Sequence, residues 1–396
     1  MIVSWKLRHI DYFVLVPYLV LCGISIIMVY SASSTYVVNL YHQAPTTYLV
    51  KQAMFVLVGL ILVSLVFFFK LKHWRNPVLL LILIVLTILS LVYLLVKGQS
   101  VNGASAWIPV GPINIQPAEF AKLVVILYLA HLLSNRQRYI QSVGAIKTLR
   151  ASLGPFFTVL LIIVLIFMQP DTGGMAIVAA IAAVLFFSSG FPVKIGLGVF
   201  GAAFAAIGGF TYLMLTKFSS ILARNYMGKR FLAVAHPFQM QRGAGKQLVN
   251  SMYAINHGGW LGVGLGNSTM KLGYLPEPYT DFILSIIAEE LGILGAGFVI
   301  GLLFFLIWRI VLIGIRAKSV YHTLLMYGVA TMIFVQATFN IGAVVGVLPI
   351  TGVTLPFISY GGSSLLVLSV AIGLVLNVSA RESYQRELER DGNADA

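Results

Sequence analysis

The stretch PVLLLILIVLTILSLVYLLV, residues 77–96, holds twenty residues without one charged side chain. A helix rises about 1.5 Å per residue, so twenty residues match the roughly 30 Å hydrocarbon core of a bilayer. The stretch therefore predicts a transmembrane helix. Nine further apolar segments extend the prediction to about ten spans: 12–31, 50–69, 116–134, 153–168, 174–190, 192–216, 282–308, 321–347 and 361–380.

The composition of the 396-residue chain supports the same interpretation. Hydrophobic residues make up 59% of it and charged residues 10%, and the mean hydropathy is +0.94. A soluble core cannot hide so much apolar surface, so we predict an all-α, polytopic membrane protein. The net charge of +14 does not indicate nucleic acid as a partner, because the basic residues stand in short patches beside the apolar segments.

These basic patches fall in alternate loops, which predicts the topology. Cytoplasmic loops of membrane proteins are enriched in Lys and Arg, so both termini are predicted to be cytoplasmic. The patches are Lys6 and Arg8; Lys70, Lys72 and Arg75; Arg136, Arg138, Lys147 and Arg150; Lys194; Arg316 and Lys318; and Arg381, Arg386 and Arg390. Residues 1–380 are predicted to form a single transmembrane domain and residues 381–396 a cytoplasmic tail.

One long loop, residues 217–281 between the seventh and eighth spans, departs from this charge rule. The topology places it on the extracellular side, where basic residues are disfavoured. It nevertheless contains seven basic residues: Lys217, Arg224, Lys229, Arg230, Arg242, Lys246 and Lys271. Two interpretations remain open, a surface that faces lipid headgroups and a binding site for an anionic ligand.

The same loop contains regular structure of its own. Leu248, Met252 and Ile255 recur at helical spacing and Gly258-Gly259 follows, which predicts an amphipathic helix over residues 245–257. The run GWLGVGLG, residues 259–266, comes next. Its glycines permit either close approach of a ligand to the backbone or tight turns within the protein.

Acidic residues are few, so each one can be interpreted separately. Asp11 begins the first span, where a carboxylate stabilises a helix N-terminus, and we predict a structural role. Glu119 and Lys122 share one face of the fourth span. They form either a neutral pair that holds helices together or a site in which Lys122 binds a phosphate and Glu119 orients it.

Asp281 precedes the first turn of the eighth span, beside Pro276-Glu277-Pro278. A carboxylate there is either a helix cap or a base that accepts a proton from a sugar hydroxyl. Glu289 and Glu290 lie deeper along the same helix, where adjacent carboxylates need partners or protons. They line an inner cavity or pair with a basic residue. His236 and His257 are predicted to be surface residues, and the sequence shows no zinc-binding spacing.

Several motifs resemble the SEDS family (shape, elongation, division and sporulation), and its division branch more than its elongation branch. They are NGA at 102–104, QPAEFAK at 116–122, QPD at 169–171, QRGAGKQLVNS at 241–251, GVGLGNS at 262–268, KLGYLPEPYTDF at 271–282 and PITGVTLPFISYGGSS at 349–364. Ala106 and His236 depart from the common pattern. The resemblance implies a ten-helix glycosyltransferase of the bacterial plasma membrane that polymerises lipid II. It further implies a class B penicillin-binding protein as partner and Asp281 as the essential carboxylate.

Our hypothesis is that Asp281 deprotonates an acceptor hydroxyl that attacks the lipid-linked donor, at the division septum. The predicted substrate-binding residues are Glu119, Lys122, Arg230, Gln247, Lys271, Glu277, Thr280 and Ser359. Of these, Lys122, Arg230 and Lys271 are expected to hold the pyrophosphate, with a divalent cation, Mg²⁺ or Mn²⁺, as a candidate cofactor and no protein metal ligand assigned. Other predicted partners are undecaprenyl-pyrophosphate-linked glycan, division proteins and membrane lipid. The alternatives are a lipid II flippase and a noncatalytic division scaffold.

Overall fold

The computed structural model describes residues 2–97, 99–101, 104–111, 113–142, 145–190, 226–235, 237–240 and 245–394. The predicted span 192–216 lies outside these residues, as do Lys194, Lys217, Arg224, His236 and Arg242. The side chain of Lys229 lies outside them as well. The predicted loop can therefore be compared with the structure only from Tyr226 onward.

Helices dominate the described chain, as the sequence predicted. The first part forms α1 (Ile2–Arg8), α2 (Tyr12–Tyr41), α3 (Thr47–Phe68), α4 (Leu71–Trp74) and α5 (Pro77–Lys97). The second part forms α6 (Pro117–Ser142), α7 (Ala145–Phe167), α8 (Thr172–Ser188), α9 (Tyr226–Ala235), α10 (Lys246–Gly258), α11 (Ile283–Arg316), α12 (Val320–Val344) and α13 (Gly362–Ala394). Short 3-10 helices cover Pro237–Met240 and Met270–Leu272.

A small antiparallel sheet joins α5 to α6. Its strands are β1 (Gln99–Val101), β2 (Ala104–Val110) and β3 (Ile113–Ile115), in that order across the sheet. Ile108 pairs with Ile115 and Val110 with Ile113. The apolar pattern of residues 77–134 did not predict this sheet, because β1 and β3 have three residues each and the seven residues of β2 do not alternate between polar and apolar.

Nine of the ten predicted spans coincide with described helices. Among the described residues, α2, α3, α5, α6, α11, α12 and α13 are long and apolar enough to cross a membrane, and α7 and α8 contain shorter apolar helices. The polytopic, all-α architecture is thus confirmed. The helices α2 and α13 extend furthest past their predicted ends, to Tyr41 and to Ala394. Polar residues end the apolar pattern there, but a helix can continue wherever neighbouring segments pack against it.

The centre of the bundle is formed by the helices that carry most of the polar side chains. α13 packs along α3, α11 lies against both α2 and α12, and α12 also contacts α6 and α8. α6 and α13 are the most buried spans, whereas α3 and α5 are the least buried. Small residues permit the close approach of helices: Gly59 faces Ser369, and Gly373 faces Val66.

Asp11 has a structural role, but its contacts differ from a helix cap. Its side chain makes no hydrogen bond to the N-terminus of α2. Instead, both of its carboxylate oxygens accept hydrogen bonds from Arg309 of α11, at 2.9–3.2 Å, and one accepts from Ser379 of α13 at 2.9 Å. The carboxylate therefore joins three helices.

The helix α11 is broken at Gly292, which has φ 72° and ψ −179°. The glycine-rich run supplies the hydrogen bonds that the break removes. Val263 and Gly264 donate to the carbonyl oxygens of Glu289 and Glu290, both at 3.0 Å. A Cβ atom at Gly262 would overlap the carbonyl of Glu290, so this glycine brings protein backbone, rather than a ligand, close to the helix.

Candidate functional site

Asp281 lies immediately before α11 and is partly exposed. The N-cap of α11 is Phe282, and no side chain caps this helix end, so Asp281 is not a helix cap. Its Oδ1 atom lies 3.0 Å from the hydroxyl oxygen of Thr280, which itself lies 2.8 Å from the carbonyl oxygen of Glu277. A turn, closed by the Thr280 amide donating to the Glu277 carbonyl, thus presents the carboxylate at the start of the helix.

The surroundings of Asp281 favour its protonated form. Burial raises the pKa of the Asp281 carboxyl above its ordinary value, and the contact with Thr280 and the charge of Arg230 oppose this shift in part. Arg230 is on α9, and its Nη1 atom donates to the carbonyl oxygen of Ile350 at 2.9 Å. A carboxylate with a raised pKa is a stronger base than an ordinary aspartate, so it is better suited to accept a proton.

The loop between α12 and α13, residues 345–361, forms the adjoining wall of the site. Asn340 of α12 donates to the carbonyl oxygen of Asp281 at 2.7 Å and to that of Val353 at 2.8 Å. The Tyr360 amide donates to the Tyr279 carbonyl at 2.9 Å. This loop is therefore tied to both sides of the segment that carries Asp281.

Ser359 shapes this loop from within. Its hydroxyl accepts a hydrogen bond from the Leu355 amide at 2.8 Å, and the residue is 4% exposed. The structure therefore gives Ser359 a role in the turn of the loop. The substrate contact that the sequence predicted for it is not visible in this arrangement and stays a prediction.

Glu119 and Lys122 form an ion pair of 2.6 Å in α6, and Lys122 is 1% exposed. Lys122 also donates to Gln336 of α12 at 3.4 Å, and the Gln336 amide donates to Ser364 of α13 at 2.9 Å. Of the two interpretations that the sequence left open, the structure shows the pair that holds helices together. Phosphate binding by Lys122 stays a prediction.

Asp171 joins this cluster, although the sequence did not mark it as a site residue. It is the N-cap of α8 and accepts a hydrogen bond from the Gly174 amide at 2.7 Å. Gln116 donates to its other oxygen at 3.2 Å. Burial raises its pKa, and the charge of Lys122 opposes the shift. The scarcity of acidic residues and the following Gly173-Gly174 were signals that could have identified it.

The Asp281 site and the Lys122 cluster share one wall. Gln336 and Asn340 are one helical turn apart on α12, so their side chains stand about 6 Å apart along the same face. Gln336 contacts Lys122, and Asn340 contacts the backbone of Asp281. Neither α12 residue was identified from the sequence, because an amide in an apolar helix carries no spacing signal.

The remaining predicted substrate-binding residues lie on separate segments of the chain. Lys271 is 3% exposed and forms an ion pair of 2.7 Å with Glu290. Gln247 lies in α10 and is partly buried, and Glu277 has a left-handed backbone with φ 46°. The predicted helix over residues 245–257 is confirmed as α10. Its histidine, His257, is half exposed and contacts Glu289 at 2.9 Å.

A bound divalent cation, the predicted cofactor, would need oxygen, nitrogen or sulfur ligands from the protein or from the substrate. Within the described residues, no group of three or more His, Cys, Asp or Glu side chains could hold a metal ion. Mg²⁺ commonly binds substrate phosphates together with only one or two carboxylates. A cation of that kind, brought by the pyrophosphate, stays a prediction.

Comparison with known proteins places this architecture in a family. A family model for cell cycle proteins, named for FtsW, RodA and SpoVE, matches residues 12–384. The probable peptidoglycan glycosyltransferase FtsW of Lactococcus lactis is 39% identical over 98% of this chain and 96% of its own. The corresponding protein of Bacillus subtilis is 38% identical over 97% and 94%.

A solved structure shares the fold as well. It concerns the structural coordination of polymerization and crosslinking by a peptidoglycan synthase complex. One of its chains superposes with a TM-score of 0.74 at 28% identity, covering 94% of this chain and 98% of its own. The resemblance that the motifs indicated is thereby confirmed over nearly the full length, and the chain belongs to the FtsW, RodA and SpoVE family of cell cycle proteins.

Proposed function

We propose that this protein is a peptidoglycan glycosyltransferase that polymerises lipid II at the outer face of the plasma membrane during cell division. The names of the two relatives support the activity and the division role. The observation that carries the proposal is Asp281, a partly exposed carboxylate that caps no helix and has a raised pKa. A base of this kind contributes a factor of about 10² to 10⁴ in rate.

The reaction is an inverting substitution at a sugar carbon. The acceptor 4-hydroxyl oxygen forms a bond to the anomeric carbon of the lipid-linked donor, and the hydroxyl proton passes to Asp281. The bond between that carbon and the pyrophosphate oxygen breaks, and undecaprenyl pyrophosphate leaves with the electron pair. The charge of Arg230 acts on Asp281, which supports a role for Arg230 in stabilising the negative charge that develops on the pyrophosphate.

The participation of Lys122 needs an exchange of partners. Its ammonium group is buried and bonded to Glu119 and Gln336. An incoming phosphate would have to replace at least one of these groups, and Glu119 would then need another donor or a proton. Lys122 is therefore proposed to bind substrate only in a state where the α6 and α12 contacts open.

The partner and the location follow from the same comparison. The similar complex couples polymerization to crosslinking, which supports a class B penicillin-binding protein as the crosslinking partner of this chain. The division relatives support a septal location. The crosslinking partner and the septal location are therefore parts of the proposal. The proposal also includes the cytoplasmic termini and the extracellular position of Asp281.

The test is polymerisation of labelled lipid II by purified protein with its partner in vesicles. The wild type should make polymer, and Asp281→Asn should reduce the rate by about 10² or more, because it removes the proton acceptor. Asp391→Asn is the matched control, since it makes the same chemical change at an exposed residue near the C-terminus. Equal polymer from wild type and Asp281→Asn would remove Asp281 from this role.

The same vesicles distinguish polymerisation from transport. Dithionite quenches labelled lipid II only in the accessible leaflet. Movement of label between leaflets without any polymer would favour the flippase, whereas polymer without movement supports the glycosyltransferase.

A further inference from the structure

Glu289 and Glu290 are adjacent carboxylates inside the apolar helix α11, and they are 0% and 1% exposed. Charged side chains at such positions are costly unless they are paired and hydrogen bonded. The helix breaks two residues later, at Gly292. This combination of buried charge and broken backbone is not required for a helix that only spans a membrane.

Glu289 binds the segment that follows the glycine-rich run. It accepts hydrogen bonds from the hydroxyl of Ser268 and, at 3.0 and 2.9 Å, from the amide and hydroxyl of Thr269. His257, at the end of α10, contacts the same carboxylate at 2.9 Å. One side chain of α11 thereby fixes both α10 and the start of the segment that leads to Asp281.

The Glu290 side chain contacts Lys271, which lies further along the same segment, and Ser31 of α2. The Lys271 ammonium donates to Glu290 at 2.7 Å and to Ser31 of α2 at 3.2 Å. The Ser31 hydroxyl in turn lies 2.6–2.7 Å from the Glu290 carboxylate. Lys271 and Glu290 are both almost fully buried, so this is an internal ion pair with little screening by solvent.

The backbone at the break adds to this attachment. The carbonyl oxygens of Glu289 and Glu290 accept hydrogen bonds from residues 263 and 264, and the amides of Ile293 and Leu294 donate to residues 259 and 260, at 2.9 and 3.3 Å. Residues 259–271 are thus hydrogen bonded both to side chains and to the main chain of residues 289–294 of α11.

The segment between Lys271 and Asp281 is itself compact. The Leu275 amide donates to the Met270 carbonyl at 2.9 Å, and Leu275 is 0% exposed. Asn250 of α10 donates to the Tyr274 carbonyl at 2.6 Å. Because these contacts hold the segment in one conformation, we expect a displacement at Lys271 to be transmitted to Asp281.

We infer that Glu289, Glu290 and Lys271 are positioning residues that hold the segment 268–282, and with it Asp281, in the reactive geometry. The inference rests on the proposed function. It gives Lys271 a different role from phosphate binding: a phosphate that took Lys271 would leave Glu290 as a buried charge without its cation, which is strongly unfavourable.

Reversing the charges of Lys271 and Glu290, singly and together, distinguishes a positioning role of Lys271 from phosphate binding. Lys271→Glu and Glu290→Lys each place like charges together, and each should lower kcat by about 10²-fold, since small misplacements of reacting groups have effects of this size. The double variant restores an ion pair between the same two positions, with Ser31 still able to bond to both. A positioning role predicts recovery of most of kcat in the double variant, whereas a phosphate contact predicts continued loss, because position 271 then carries a negative charge.

If the charge-reversal variants do not fold, variants that remove or keep the positive charge of Lys271 provide the test. Lys271→Met should lower kcat per folded molecule with little change in KM, and Lys271→Arg should restore it. Because a loosened segment admits water to Asp281, the acid limb of the pH–rate profile should also move to lower pH in Lys271→Met. A purely structural ion pair would change neither quantity.

The matched control is Arg309→Met, which breaks the ion pair between Asp11 and Arg309 in the same helix α11. It should lower the melting temperature and leave kcat per folded molecule unchanged. If the wild type makes no polymer, the proposed function fails. If the wild type polymerises while the Lys271 and Glu290 variants keep full kcat, the positioning role fails and the proposed function stands.

Discussion

At the scale of single residues, the chemistry of Asp281 depends on its neighbours more than on its place in a motif. The sequence identified it through the crowding of Pro, Glu, Thr and Asp before a span. It could not show that Phe282 is the N-cap, or that the charge of Arg230, 51 positions earlier in the chain, acts on the carboxylate. These contacts join separate segments, so no local pattern records them.

The raised pKa of Asp281 predicts a pH dependence. A proton acceptor acts only when it is deprotonated, so kcat should fall as the pH drops through this pKa, and the midpoint should lie above the ordinary aspartate value of about 3.9. Thr280 lowers the pKa, and Thr280→Val should therefore move the midpoint to higher pH. Polymerisation rates measured across pH for both proteins check this; a midpoint that shifts to lower pH in Thr280→Val would contradict it.

At the level of secondary-structure elements, the structure adds most to the interpretation of the glycine-rich run. The sequence left open whether its glycines admit a ligand or make turns. In the structure, Gly262 and Gly264 have positive φ angles of 82° and 98°, and the run bonds to α11 at its break. Backbone polar groups inside a membrane protein need such partners, so the run and the broken helix form one unit.

This unit predicts different effects for two alanine substitutions. Gly262 and Gly266 have nearly equal φ angles, 82° and 85°. A Cβ atom at Gly262 overlaps the Glu290 carbonyl, whereas one at Gly266 meets nothing within 4 Å. Both variants carry backbone strain of about 1–3 kcal/mol, but only Gly262→Ala also displaces α11. Thermal unfolding in detergent should show the larger loss of stability for Gly262→Ala; equal losses would contradict the contact.

At the level of the whole molecule, two groups of buried polar side chains can be distinguished among the described residues. One group surrounds Asp281, Lys122 and Glu290. The other ties helix ends together: Lys6 donates to Asn377 at 3.0 Å, and His322 contacts Glu382 at 2.6 Å. The first group lies beside partly exposed residues of the long loop, and the second beside the two termini. This separation suits an enzyme with one reactive face.

The predicted topology can be tested with single cysteines. Lys246 lies in the long loop and Lys318 between α11 and α12, and both are exposed. The natural cysteine, Cys22, is buried, so Cys22→Ser provides the background. In intact cells, an impermeant maleimide should label Lys246→Cys and should label Lys318→Cys only after lysis. The reverse pattern would place Asp281 in the cytosol, where the proposed reaction cannot occur.

We could predict the membrane class, most of the spans, the amphipathic helix α10 and the family from the order of the amino acids, because apolar run length, helical spacing and motifs are local properties. The sequence also predicted Asp281 as the proton acceptor, and that role stays a prediction. The partners of the buried charges became known from the fold: Lys122 contacts Glu119 and Gln336, Lys271 contacts Glu290, and Asp171 joins the Lys122 cluster. A buried charge is stabilised by whichever segments the fold brings around it, and those segments are distant in the chain.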